Sequence, residues 1–174
     1  MFEKFSRNTV LAVHAAVKEA QDSAASTIDE EHLVYALFRE PDTLAAQLTG
    51  GEMTLAKLRE SFARAHRRGG VSETDLETLR GLGIDMSEVE SAVANQLGAE
   101  ALTPKASTKR RRHLPFTPDA KDVLAGALRE ARQRRDKRIG DDHMLLSLLG
   151  RGGLAAGVLT ELGTSYETVS ARVE

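Results

Sequence analysis

The segment TIDEEHLVYALFRE at 27–40 and the segment RIGDDHMLLSLLGR at 138–151 follow one pattern. Each contains an isoleucine, an acidic pair, a histidine and then a run of aliphatic residues, in that order. The segments begin 111 positions apart, since 138 − 27 = 111. Because an internal repeat overrides most other indications of fold, this offset is the first constraint on the structure.

The same offset continues on both sides of these segments without a gap. It matches the pairs Phe5/Phe116, Glu19/Glu130, Ile28/Ile139, His32/His143 and Leu37/Leu148. With a one-residue adjustment, LAA at 44–46 meets LAA at 154–156, and residues 159–173 resemble 79–93. That alignment leaves an insertion near 47–78 in the first unit. An alternative pairs the end of the second unit with TLAKLRESFA at 54–63, and the sequence leaves both alignments open.

The chain therefore divides into two related units. We expect the first unit at 1–98, a basic linker at 99–115 bracketed by Pro104 and Pro115, and the second unit at 116–174. A length of 174 residues suits one compact domain in which both units share a core.

The hydrophobic spacing within each unit is helical, and alternating β-branched runs typical of strands are missing. Ser6 is a plausible N-cap for the first helix, and acidic residues lead the helices that contain His32 and His143. The apolar stripe of the first helix is Val10, Val13, Val17, Ala20 and Ala24. The predicted fold is all-α: a pseudo-two-fold, duplicated helical bundle.

Composition excludes several classes of protein. At 41% hydrophobic and 29% charged residues the chain should fold, and a net charge of −2 gives no general attraction to nucleic acid. The absence of cysteine excludes disulfides and thiolate chemistry. No nucleophile elbow or carboxylate pair indicates catalysis, so we expect no enzyme and no cofactor. The N-terminal MFEKFSRNTV resembles neither a signal peptide nor a membrane span, and we expect a cytoplasmic protein.

Phe2, Phe5, the EEHL and DDHM segments and HLPFTPDAKDVLAGALREA at 113–131 resemble the duplicated N-terminal domain of Clp/Hsp100 chaperones, of the ClpC type. The resemblance covers about 2–46 and 113–174. It implies a bundle of about eight helices that captures substrates, adaptors or cyclic peptides for an ATP-driven unfoldase and its protease partner. No GxxxxGKS or GxxxxGKT loop occurs, so this chain is not the motor itself. It is either a free-standing relative of that domain, which we favour, or an excised fragment of a larger chaperone.

The resemblance also implies a site at Glu31 and Asp142. In ClpC-type domains the acidic residue of each GTEH motif recognises the guanidinium of phosphoarginine. Here Glu30 and Asp141 replace the threonine, and the added negative charge would repel a phosphate. Two hypotheses remain open: these four acids retain a site for a cationic ligand, or they only stabilise two helix starts.

His32 and His143 form a symmetric pair beside acidic residues, a composition that also occurs in metal sites. Neighbouring positions do not share a helix face as i, i+4 ligands do, so we interpret both as structural residues and predict no metal.

Phe2, Phe116 and Lys121 match residues that, in actinobacterial ClpC domains, line a groove for cyclic peptide antibiotics such as cyclomarin. Two scarce aromatic residues and one cation would form an apolar groove with a polar handle. Phe116 also precedes a helix that Thr117 would cap, so it could pack as a hydrophobic staple at the same time.

Two basic runs, KRRRH at 109–113 and REARQRRDKR at 129–138, support a rival function in nucleic-acid binding. Glu130 and Asp136 interrupt the second run, and no helix-turn-helix signature or stacking aromatic accompanies it. We therefore favour a solvated face or a docking surface for an acidic partner. The resulting hypothesis is a peptide-binding adaptor or modulator of a Clp chaperone-protease, with sequestration of cyclic peptides as the alternative.

Overall fold

The structure, a computed structural model, describes residues 4–40, 43–51, 53–71, 73–97 and 114–173. Those ranges contain ten helices and no strand, which confirms the all-α prediction. The helices are α1 (Arg7–Asp22), α2 (Glu30–Leu37), α3 (Leu44–Leu48), α4 (Leu55–Arg67), α5 (Glu73–Gly81), α6 (Met86–Leu97), α7 (Pro118–Gln133), α8 (Asp141–Arg151), α9 (Gly153–Glu161) and α10 (Tyr166–Val173).

The helix starts follow local capping chemistry. The Ser6 hydroxyl accepts a hydrogen bond from the backbone N–H of Thr9 at 3.2 Å, and Thr117 accepts one from Ala120 at 3.2 Å. Both caps satisfy an amide that the first helical turn leaves without a partner. The predicted caps of α1 and α7 are therefore confirmed.

The helix bounds repeat with the offset read from the sequence. Helices α1 and α7 both have 16 residues and start at positions 7 and 118, while α2 and α8 start at 30 and 141. Helices α4 and α10 start at 55 and 166, also 111 positions apart. Helices α5 and α6 start 80 positions before α9 and α10, at 73 and 86.

Packing distinguishes the two alignments that the sequence left open. Helix α10 packs against α3 and α8, and α4 packs in the corresponding way against α9 and α2. This reciprocity favours the alignment of 54–63 with the end of the second unit. Under that alignment the additional segment is α5 and α6 rather than 47–78. Residues 99–113 of the predicted linker at 99–115 lie outside the described residues.

Two short backbone crossings join the units. Ser6 N–H donates to the Ile139 carbonyl at 2.8 Å, and Ile139 N–H donates to the Lys4 carbonyl at 2.8 Å. Thr117 N–H donates to the Ile28 carbonyl at 2.9 Å, and Ile28 N–H donates to Pro115 at 2.9 Å. Adding or subtracting 111 converts one set of contacts into the other.

The core lies between the units, and α8 is its central helix. It packs against α7, α9, α10, α3, α1 and α2. Its Met144, Leu145, Leu146 and Leu148 are fully buried. Among the described residues, no single helix is long and apolar enough to span a membrane, although α8 and α9 meet those criteria as a pair bent by 103°.

We expect Ile28→Ala and Ile139→Ala each to lower the free energy of unfolding by about 2–5 kcal/mol, because both side chains are buried at the crossings. Since each crossing joins both units, urea unfolding followed by circular dichroism should show one shifted transition for either variant. Leu11→Ala, at a position 57% exposed, is the control and should change stability by less than about 0.5 kcal/mol. Separate transitions for the two units would contradict the prediction.

Candidate functional site

A cavity of about 240 Å³ lies at the start of α2. Its acidic side chains, Asp29, Glu30, Glu31 and Asp119, are partly or fully exposed, so they form the rim. Phe62 and Ala155, each 1% exposed, form the base. The remaining lining residues are His66, Thr117 and Leu154. We call this feature the acidic cavity.

Glu31 is the best-anchored acid of the cavity. The Tyr35 hydroxyl donates to its Oε1 at 2.5 Å, and His66 Nε2 lies 2.5 Å from its Oε2. The Glu31 side chain is still 21% exposed. A carboxylate offers about four acceptor positions, so these two contacts leave further positions for a ligand.

The two partners of Glu31 are tuned by it. The hydrogen bond that His66 donates to Glu31 raises the pKa of His66, although partial burial acts in the opposite direction. Burial, reinforced by the hydrogen bond to Glu31, raises the pKa of Tyr35, which therefore stays a hydroxyl donor. His66 consequently gains a proton more readily than a free histidine and can offset the charge of Glu31.

A second cavity of about 250 Å³ adjoins the first and shares Glu31 and His66 as lining residues. Its own acid, Glu19, is only 8% exposed and accepts hydrogen bonds from Arg39 at 3.3 Å and Arg59 at 2.5 Å. The charge of Glu19 is thus balanced within the protein. The acidic cavity, in contrast, holds four acids against Arg151 and His66, so its net charge is negative.

Asp142 stands at the position that corresponds to Glu31, but its surroundings differ. Its side chain is 8% exposed, and its Oδ1 lies 3.2 Å from His143 Nδ1. Burial alone would raise the pKa of Asp142, yet its hydrogen bond and charge interaction with His143 hold the pKa below the usual value. Of the two acids predicted as a ligand site, the structure exposes Glu31 and encloses Asp142.

Glu30 and Asp141, which precede Glu31 and Asp142, also have hydrogen-bond partners within the protein. Glu30 accepts from Arg151 at 3.3 Å, and Arg151 further pairs with Asp119 at 2.9 Å and Asp122 at 3.1 Å. Asp141 is 4% exposed and accepts from the backbone N–H of Ala45 at 3.3 Å. Glu30 and Asp141 therefore connect the two units, in addition to any effect on the helix dipole.

The two histidines act within their helix caps. His32 Nδ1 accepts the backbone N–H of Asp29 at 3.2 Å, and His143 Nδ1 accepts that of Gly140 at 2.9 Å. His143 Nε2 lies 3.0 Å from Asp136 Oδ2. These contacts give both rings a structural role. Among the described residues, no group of three side chains is arranged to hold a metal ion.

The structure describes only two of the three residues predicted to form the aromatic groove. Phe2 lies outside the described residues. Phe116 is half-buried against the core and takes part in the crossing with Ile28. Lys121 is exposed on α7. Neither Phe116 nor Lys121 lines the acidic cavity.

Sequence reasoning missed Phe62, His66 and Leu154, which complete the cavity around the predicted Glu31. Phe62 and His66 lie on α4, within the segment that the first alignment treated as an insertion. The alternative alignment was the signal for Phe62, since it places this residue opposite Val173 at the end of α10.

Comparison with known proteins gives consistent results. The chain is 28% identical over 178 residues to the chloroplastic chaperone protein ClpC1 of Arabidopsis thaliana, covering 99% of this chain and 15% of that protein. The chloroplastic ClpA homologue of Brassica napus is also 28% identical, over 99% of this chain and 16% of its own length. The chain thus spans less than a fifth of these relatives.

Solved structures share the fold. The N-terminal domain of ClpD from Arabidopsis thaliana superposes with a TM-score of 0.62 at 20% identity, covering 99% of this chain and 96% of that domain. The ClpV N-domain in complex with a VipB peptide gives a TM-score of 0.56 at 14% identity, over 99% and 86% of the two chains.

The sequence profile of one family matches residues 71–162, more than half of the chain. The match runs from α5 to α9 and includes the acid-led helix α8. This chain belongs to the Clp repeat (R) N-terminal domain family.

Proposed function

We propose that this protein is a non-enzymatic peptide- and protein-binding module that acts as an adaptor or modulator of a Clp chaperone-protease. Three observations support the proposal: membership of the family, similarity to ClpC chaperones, and a fold shared with an N-domain that was solved with a bound peptide. The 174 residues contain no phosphate-binding loop of the usual type, so the motor on which the module would act lies outside them.

The observation that carries the proposal is the acidic cavity. An arginine side chain from a client would place its planar guanidinium against Glu31 and its methylene stem against Phe62 and Leu154. Asp29, Glu30 and Asp119 surround the same space and would repel a phosphate group. The favoured ligand is therefore unmodified arginine rather than phosphoarginine.

We expect Glu31→Gln to raise the Kd for a fluorescein-labelled, arginine-containing peptide about tenfold, because a charged hydrogen-bond acceptor is lost. Fluorescence anisotropy measures this. Glu60→Gln is the matched control, since Glu60 lies on α4 with a side chain 71% exposed and should not affect binding. Equal affinity of wild type and Glu31→Gln, or tighter binding of the phosphoarginine peptide, would refute the arginine site.

The affinity for the arginine peptide should increase with pH. At low pH, protonated His66 competes with the ligand for Glu31; above its raised pKa the ring is neutral and the carboxylate is left to the ligand. Anisotropy titrations between about pH 6 and pH 9 should show this increase in wild type and not in His66→Gln. An identical pH profile in both proteins would exclude His66 as the competitor.

The stability of the fold should follow the opposite trend. Because the folded pKa of His66 is raised, its pairing with Glu31 stabilises the protein below the unfolded pKa, and that contribution is lost as pH rises through the folded pKa. The difference in unfolding free energy between wild type and His66→Gln should therefore shrink over the same range.

The alternative function, sequestration of cyclic peptides that target ClpC, rests on Phe2, Phe116 and Lys121. The half-buried ring of Phe116 and the exposed side chain of Lys121, five positions later in the sequence, support it. Calorimetry should detect a cyclomarin-like peptide binding to wild type, and Phe2→Ala should weaken this binding while leaving the melting temperature nearly unchanged. If wild type gives no heat of binding, the sequestration role is wrong.

A further inference from the structure

Five exposed cations cluster at the C-terminal end of α7 and in the turn that follows. We call them the basic end of α7: Arg129, Arg132, Arg135, Lys137 and Arg138. In the part of the chain that the structure describes, none of the five is paired with a carboxylate. The two acids within this stretch have other partners: Glu130 accepts from Tyr166 at 3.1 Å, and Asp136 lies 3.0 Å from His143 Nε2.

The first unit shows that the fold does not require four of these cations. Helix α1 ends with the same backbone geometry, since Ala24 has a φ of 54° and Arg135, 111 positions later, has a φ of 61°. The last turn of α1 has no basic residue, so stabilisation of the helix dipole does not explain five of them. The residues at the corresponding positions are Lys18, Gln21, Ala24, Ser26 and Thr27.

We propose that the basic end of α7 is a docking surface for an acidic protein segment. Two grooves of about 580 and 530 Å³ flank it, with Val173 in one and Leu149 and Tyr166 in the other. Polar groups predominate in both linings, so these grooves would accept only single apolar side chains between the acidic residues of a peptide. The grooves also contain Glu130, Asp136 and Glu167, so the surface favours a peptide whose acidic residues are spaced apart over the continuous phosphates of a nucleic acid.

The inference rests on the proposed function in one respect, because an adaptor needs two separate binding surfaces. Thr117 and Asp119, at the start of α7, line the acidic cavity. A helix of 16 residues is about 24 Å long, so the basic end lies roughly that far away. A cationic client and an acidic partner could therefore bind at the same time.

The test compares wild type with a variant that carries the first unit's own residues: Arg132→Gln, Arg135→Ala, Lys137→Ser and Arg138→Thr. A fluorescein-labelled peptide of glutamate, leucine and serine is the probe, read by anisotropy at low salt. The Kd should rise about tenfold or more in this variant. A control variant also loses four exposed cations and should bind as wild type does: Arg7→Gln, Lys18→Gln, Lys57→Gln and Arg80→Gln.

An equal loss in the control variant would overturn the proposal, as would tighter binding of a single-stranded RNA of similar charge. Loss of wild-type self-association in the four-residue variant, seen by sedimentation, would assign the surface to a second copy instead and also overturn it. Glu31→Gln should leave binding of the acidic probe unchanged. Failure of the arginine site is thereby distinguished from failure of the basic end.

Discussion

The structure depends on the reciprocal crossing of two chain segments. The residues before α1 bond to Ile139, and the residues before α7 bond to Ile28, so each unit fixes the entrance to a central helix of the other. Buried backbone groups must find partners, and these amides find theirs only when both units are present. The crossing at Ile28 brings the start of α7 beside the start of α2. Thr117 and Asp119 for that reason share a cavity with Glu31.

Equivalent positions have acquired different chemistry within this common frame. Glu31 lines a cavity and pairs with His66, whereas Asp142 is enclosed and pairs with His143. The segments that follow the first helix of each unit also differ. The segment after α1 is neutral, and the segment after α7 is strongly basic. Since the shared backbone geometry is kept at both places, the fold itself does not require these side-chain differences.

Local sequence was sufficient to predict the all-α fold and the starts of α1 and α7. The caps at Ser6 and Thr117 depend on contacts within three residues, which a sequence displays directly. The partner of Glu31 could not be predicted in this way, because His66 is 35 residues away on a helix whose position follows from tertiary packing. The enclosure of Asp142 is likewise a property of the assembled core. Phe2 remains a prediction.

Helix α7 explains how one small protein can hold opposite charges at two surfaces. The positive end of its dipole lies at Asp119 beside the acidic cavity, and the negative end lies at Arg132 within the basic end. Each cluster is therefore partly balanced by the helix itself, and the acidic cavity is balanced further by Arg151 and His66. The net charge of −2 conceals this separation. A polar arrangement along one rigid helix would keep an acidic and a basic partner apart by its length, as the proposed adaptor role requires.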